Sequence, residues 1–301
     1  MGSLAASTHG AAERDIVAAL RDARFSEGLR CPHCGAGVIQ RWGRSRGRQR
    51  YRCRRCRRTF SDLTGTPAAY LKKVELLSEY AVCLQQSLSV RDAAAQLGIH
   101  PSTAFRWRHR LLGGLSRRPA AELRGWIEVG SDWFPHSRKG ERGIADRPPR
   151  RRGPRCWGRF RGRRAYVVMA CDRLGRVVTA LARDGRVDAD AIQHVLSGHV
   201  RGLPALTAPE GPFGPTARLA RKKGWGFCRA RGGMLDARPW PAHVRTFRSY
   251  RLRLRRWLPR FHGVATKYLP NYLTWHLALD SARRDGLEAS LMRWPLGSGF
   301  G

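Results

Sequence analysis

The sequence predicts an α+β chain built from several modules, and three observations carry that prediction. Two Cys-x-x-Cys pairs lie near the start, with 18 residues between them. Runs with helical spacing follow, punctuated by Ser, Gly and Pro. From about Leu123 the apolar pattern changes to strand alternation, with further helical runs behind it. These shifts divide the chain into a lead-in with a helix (1–27), a cysteine-knuckle module (28–66), a trihelical module (67–117), an α/β module (118–285) and a tail (286–301).

Composition narrows the partners. The chain has 301 residues and a formal net charge of +36, from 58 basic and 22 acidic residues. Only six of the basic residues are lysines. Codon bias in a GC-rich genome can explain Arg over Lys, but it does not explain a surplus of this size. Arginine forks bind phosphate oxygens bidentately, so the surplus points to nucleic acid. The opening "MGSLAASTHG" has neither the basic nor the apolar region of a secretory signal. No run of 18 apolar residues occurs, so no membrane partner is expected. A cytoplasmic location follows as an expectation, and in that compartment eight cysteines point to metal ligation or buried thiols before disulfides.

Cys31, Cys34, Cys53 and Cys56 present four thiolates at the spacing of a structural Zn²⁺ site. Val38–Trp42 and Arg50–Arg52 read as two short strands around a Gly- and Arg-rich turn. So small a module buries little apolar surface, so the metal would supply most of its folding free energy. Cys83 and Cys171 lie in apolar runs and read as core thiols; Cys156 and Cys228 are assigned no role.

The trihelical module reads as a helix-turn-helix. Leu77, Ala81, Leu84 and Leu88 mark the buried face of one helix. Ser89 with Asp92 has the form of a capping box, opening a second helix near Val90 that stops at Gly98. Pro101 opens a third helix running to about Leu112. On it Ala104, Phe105, Trp107 and Leu111 pack inward, leaving Ser102, Thr103, Arg106, His109 and Arg110 to face a DNA groove.

In the last large module "WIEVGSDWF" reads as a strand. "AYVVMACD" and "RVVTALA" read as a hairpin turning at "RLG", and "DADAIQHVLSGHV" as a helix beginning at Asp188. Asp172 reads as a residue of the hairpin turn. Between the first strand and the hairpin, residues 137–164 hold twelve basic residues against two acids and read as a loop that tracks phosphates, with Lys139, Arg150, Arg151 and Arg152 as contacts. Residues 197–243 show no clear periodicity, and the prolines of "LPALTAPEGPFGP" fit a central strand badly. "RTFRSYRLRLRRWLPRFHG" reads as a helix burying Phe247, Tyr250, Leu254 and Trp257, with Arg248, Arg251 and Arg255 on the other face. A last helical segment follows, interrupted at Pro270.

"CPHCG…YRCRRCRRTFSDLTGTP", "STAFRWRHRLL", "FPHSRKGER" and "RFHGVATKYLPNYLTW" together resemble bacterial insertion-sequence transposases of the zinc-ribbon, ISXO-like kind, over about residues 20–280. The resemblance implies a ribonuclease-H-like catalytic domain in which acidic residues hold two Mg²⁺ or Mn²⁺ ions for DNA phosphoryl transfer. It also implies double-stranded DNA (element ends and target) as partner, a homo-oligomer on that DNA, and a place on the bacterial nucleoid.

Position by position, the resemblance puts the first metal-binding aspartate at Gly130 and the second at or beside Gly211, where Glu210 is the nearest acid. It puts the third ligand at Arg248 or Arg251, with a basic partner at Arg255. Every ligand position therefore departs from the pattern. Asp132 and Glu210 are the stand-ins the sequence offers. Asp132 and Glu128 face the same side as Gly130, each about 6.6 Å away along a strand. Four readings stay open: a transposase whose chemistry has decayed into DNA binding; a working enzyme using Asp132 and Glu210; a zinc-ribbon and helix-turn-helix regulator that never cleaves; and a relic whose second half folds poorly.

Overall fold

The computed structural model describes residues 17–18, 21–22, 24–45, 47–115, 121–144, 162–182, 185–230 and 243–284. The chain divides into two compact units, one comprising Met1–Pro119 with Ala282–Gly301 and the other spanning Ala120–Ser281.

The first unit opens with a three-stranded antiparallel sheet of β1 (Ile39–Ser45), β2 (Arg48–Cys53) and β3 (Thr59–Ser61), in the order β1-β2-β3. Strand β3 follows the second knuckle and adds an edge that the short apolar run "TFS" does not announce. The core here is small: Cys31, Tyr51, Cys53 and Phe60 are buried together.

Three helices follow. They are α1 (Leu77–Gln85), α2 (Val90–Gln96) and α3 (Pro101–Leu115). Ser89 caps α2 by accepting the Asp92 N–H at 3.2 Å, as its sequence form requires. The α2–α3 turn passes through Gly98 at φ +58°, a left-handed position that suits glycine. Helix α3 buries Ala104, Trp107, Leu111 and Leu112, and the Tyr80 hydroxyl of α1 donates to its Ala104 carbonyl at 2.5 Å. Phe105 departs from expectation, being 36% exposed. Arg108 takes the inward place instead: fully buried, it donates to the Leu88 carbonyl at 2.7 Å.

The second unit is a mixed five-stranded sheet with flanking helices. Its strands are β4 (Leu123–Pro135), β5 (Arg164–Asp172), β6 (Val177–Leu181), β7 (Val200–Ala208) and β8 (Gly226–Arg229), in the order β6-β5-β4-β7-β8. The β4-β5-β6 meander is antiparallel, while β7 and β8 run parallel to β4 through helical crossovers. The crossover helices are α4 (Ala189–Leu196) and α5 (Pro215–Lys223). This is the ribonuclease-H-like mixed sheet that the resemblance implied. Helices α6 (Arg245–Trp257) and α7 (Leu269–Arg284) complete the unit.

Residues 197–230 are regular, against the expectation of a poorly folded second half. Pro204 does lie in β7, but the β4–β7 register jumps from Arg124↔Arg201 to Trp126↔Ala205. The proline therefore falls in a bulge, where no ladder donor is needed. Pro215 opens α5, where a missing N–H costs nothing. Pro270 likewise falls in the first turn of α7 and starts that helix without interrupting it.

The two faces of the sheet differ. Ile127 and Val129 of β4 join Val168, Ala170, Leu206 and residues of α4 and α5 in one core. The alternate residues, Glu128, Gly130 and Asp132, point to the face that α6 covers.

Candidate functional site

The four knuckle sulfurs lie within 4.8 Å of one another, with Cys31–Cys56 and Cys34–Cys53 each at 3.6 Å. A tetrahedral zinc with Zn–S bonds of about 2.3 Å sets sulfurs roughly 3.8 Å apart, so the constellation fits the ion. The His33 N–H points at the Cys31 sulfur (3.4 Å) and the Cys56 N–H at the Cys53 sulfur (3.5 Å), which orients both thiolates. The expected ligands are thus brought together. Cys83 and Cys171 are buried thiols apart from them, as expected; Cys228 is half-buried, and Cys156 lies outside the described residues.

On α3, Ser102, Arg106 and Arg110 are exposed and Thr103 is half-buried. Thr103, Arg106 and Arg110 line an open hollow with Tyr70, Lys72 and Lys73. Tyr70 is 89% exposed and sits at φ +60°, a left-handed conformation that a tyrosine rarely adopts. Nothing in "TPAAYLKK" announces an exposed ring. His109 departs from its expected role at the groove. It lies half-buried with its ring 4.4 Å from that of Phe105, and burial together with the Arg108 charge pushes its imidazole down to about 4. Lys139 is exposed, and its ammonium donates to the Gly263 carbonyl at 3.3 Å. Arg150, Arg151 and Arg152 lie outside the described residues.

At the centre of the sheet each acid facing α6 has a partner. Glu128 is fully buried; it pairs with Arg173 and accepts the Phe247 N–H at 2.8 Å, which caps the first turn of α6. The His243 Nδ1 stands 3.3 Å from the same carboxylate. Asp132, 5% exposed, takes a two-pronged bond from Arg255, with Arg251 Nε at 4.0 Å. Arg251 and Arg255 therefore turn toward the sheet, not to the solvated face expected of them; Arg248 is exposed. Asp172 accepts the Leu174 and Arg176 N–H groups at 3.0 Å each, as a turn residue does. Glu210 accepts the Thr216 N–H at 3.2 Å and the Thr216 hydroxyl, fastening the start of α5.

Gly130 is filled from outside. A Cβ built on it would fall against Cζ of Phe247 and 2.7 Å from that ring's Cε1 and Cε2. Gly211 has open space around it.

Comparison with known proteins places these modules. Residues 11–59 match the transposase zinc-ribbon domain, and residues 81–118 match a homeodomain-like domain. A protein in transposable element ISH50 of Halobacterium salinarum (strain ATCC 700922 / JCM 11081 / NRC-1) is 29% identical over 291 residues, covering 92% of this chain and 94% of its own length. The chain is thus similar to insertion-sequence transposases in its zinc ribbon and to a transposable-element protein over most of its length. Its zinc ribbon holds a structural zinc, and its helix-turn-helix makes it a DNA-binding protein. Among solved structures, the Mos1 strand transfer complex matches with 14% identity and a TM-score of 0.26, over 72% of this chain and 78% of that one. The Mos1 transposase paired-end complex with left transposon end matches with 12% identity and a TM-score of 0.25, over 74% and 79%. Likenesses this slight do not bear on the site.

The residues at the sheet centre do not fit a pair of Mg²⁺ or Mn²⁺ ions. Such ions take several hard oxygen ligands at about 2.0–2.1 Å for Mg²⁺. Here Gly130, where the resemblance puts the first ligand, lacks a side chain, and the Phe247 ring occupies its space. Asp132 is neutralised by Arg255, and Glu210 is committed to α5. Among the described residues, the four cysteines are the only group of three or more His, Cys, Asp or Glu placed to share a metal ion. The sequence showed the missing acids; it could not show that Phe247 and Arg255, distant in the chain, had filled their space.

Proposed function

We propose that this insertion-sequence transposase chain binds double-stranded DNA and has lost the metal-dependent cleavage chemistry of its family. The observation that carries this reading is the Phe247 ring seated on Gly130, with Arg255 bonded to Asp132 beside it. A carboxylate pair cannot hold divalent cations where one member is replaced by an aromatic ring and the other is bound to a guanidinium. In this reading Asp132 and Glu210 are structural acids, the first bracing α6 against β4 and the second anchoring α5. The DNA is gripped by Ser102, Thr103, Arg106 and Arg110 of α3 and by Lys139, without a role for His109.

The relative in a transposable element matches through both units, beyond the DNA-binding modules alone. That extent favours an element-borne protein over a regulator assembled from a ribbon and a helix-turn-helix. The test is a nicking and strand-transfer assay with Mg²⁺ or Mn²⁺ on duplexes from the flanks of the gene, with binding followed by gel shift. Binding without cleavage is expected. Cleavage abolished by Asp132→Asn or Glu210→Gln would overturn the reading and restore both residues as ligands.

A further inference from the structure

Two of the motifs that carry the family resemblance, "FPHSRKGER" and "RFHGVATKYLP", enter the reading above only through Lys139, and the fold brings them together. The Ser137 N–H donates to the Thr266 hydroxyl and the Thr266 N–H donates to the Ser137 carbonyl, both at 2.8 Å. The His136 N–H adds a bond to the Arg163 carbonyl at 2.8 Å, tying in the start of β5. An open hollow results at the end of the sheet, lined by His136–Lys139, Glu141, Arg163 and Thr266–Lys267 among others. Of its five charged side chains, four are cations, and the lone acid, Glu141, is taken by Arg138 at 2.5 Å. Arg163 and Lys267 are exposed.

Ser137 supplies an independent sign of a ligand. The residue is only 8% exposed, and its hydroxyl has no hydrogen-bond partner among the described residues. A buried hydroxyl without a partner costs stability, so one lining a cationic hollow points to an acceptor brought from outside. An anion with several oxygens fits both features, since it can accept from hydroxyl, guanidinium and ammonium together. The hollow is shallow and charged, not enclosed and apolar, which suits a phosphate on a polymer better than a small organic molecule.

We propose that this hollow seats a backbone phosphate of duplex DNA, through Arg163, Lys267 and the Ser137 hydroxyl. It would give the second unit a sequence-independent DNA contact of its own. The proposal rests on the DNA-binding reading above and extends it, beyond Lys139, to further residues outside the helix-turn-helix.

The test uses full-length protein and fluorescence anisotropy over a range of salt concentrations, with a gene-flank duplex and a random-sequence duplex. Arg163→Ala/Lys267→Ala should weaken both duplexes alike and lower the slope of log affinity against log salt by about 1–2. Ser137→Ala keeps both backbone bonds to Thr266; it should weaken binding several-fold and leave the slope unchanged. Arg106→Ala/Arg110→Ala, in the helix-turn-helix, should narrow the difference between the two duplexes. If only this last variant weakens binding, the hollow is no DNA contact and the proposal falls. If none of the three matters, the DNA-binding reading itself falls. Inorganic phosphate titrated against the hollow variant separates the remaining source: an altered response to free phosphate with unchanged DNA affinity would also overturn the proposal.

Discussion

Gly130 and Phe247 are a complementary pair, one lacking the atoms the other occupies. Introducing the aspartate that the resemblance puts there, with Gly130→Asp, should therefore not create a metal site. It should force the ring aside and set a carboxylate in a packed interior, at a cost of about 3 kcal/mol. Phe247→Ala alone should cost a comparable amount through the cavity it leaves. The double variant should be more stable than the two single effects predict, by about 1–3 kcal/mol, because each change makes room for the other. Chemical denaturation of the four proteins measures this coupling; simple additivity would mean that the ring does not fill the position. Tyr70 presents the opposite case, a residue kept at a local cost. Tyr70→Gly removes a left-handed tyrosine at φ +60° and should stabilise the first unit by up to about 1 kcal/mol. If the exposed ring serves the groove it shares with Arg106, the same variant binds DNA more weakly. Stability gained without affinity lost would leave the ring outside the DNA interface.

At the scale of elements, pattern and outcome part where long-range contacts decide. The ligand spacing in the ribbon, the Ser89 cap and the apolar stripe Phe247-Tyr250-Leu254-Trp257 are local signals, and the structure realises each of them. Strand β7 was illegible because its proline is tolerated only through a bulge opposite Gly125, and a bulge is a property of two strands. Phe105 leaves the inward side expected of it and Arg108 is buried, because the Leu88 carbonyl, on the α1–α2 loop, offers a buried acceptor that helical periodicity cannot register. The partners of Asp132 and Glu210 are hidden from the sequence for the same reason: Arg255 lies 123 positions from Asp132, and the Thr216 that Glu210 caps belongs to a helix the pattern does not reveal. Helix α3 also carries a pH dependence. His109 stays neutral in the folded module down to about pH 4, whereas in an unfolded chain it protonates near pH 6.5. The unfolded state thus binds the extra proton first, so this contribution to stability is intact above pH 6.5 and is lost progressively as the pH falls toward 4. Thermal melts across that range should show the decline, and His109→Gln should flatten it; an equal decline in the variant would assign it to other groups.

For the molecule as a whole, the net charge of +36 and the two units set different demands on metal ions. The first unit contains the four-cysteine site, whose ligands have no other close structural task than holding a metal around a small core. Anything that binds the folded state alone stabilises it by mass action, about 2.7 kcal/mol at a hundredfold excess over the dissociation constant. Chelation of zinc should therefore lower the melting temperature of the first unit sharply and abolish helix-turn-helix binding only if the ribbon supports it. The second unit, with a sheet core of its own, should melt unchanged by zinc removal. It should also be indifferent to Mg²⁺ and Mn²⁺, because the acids at its centre are already satisfied by Arg173, Arg255 and the first turn of α5. Calorimetry with and without chelator, and with millimolar Mg²⁺ or Mn²⁺ added back, separates the two responses. A rise in the melting temperature of the second unit on adding Mg²⁺ would mean that its carboxylates can abandon their arginines for a cation. The arginines would then act as a latch on a working centre, and the loss of cleavage proposed for this chain would have to be given up.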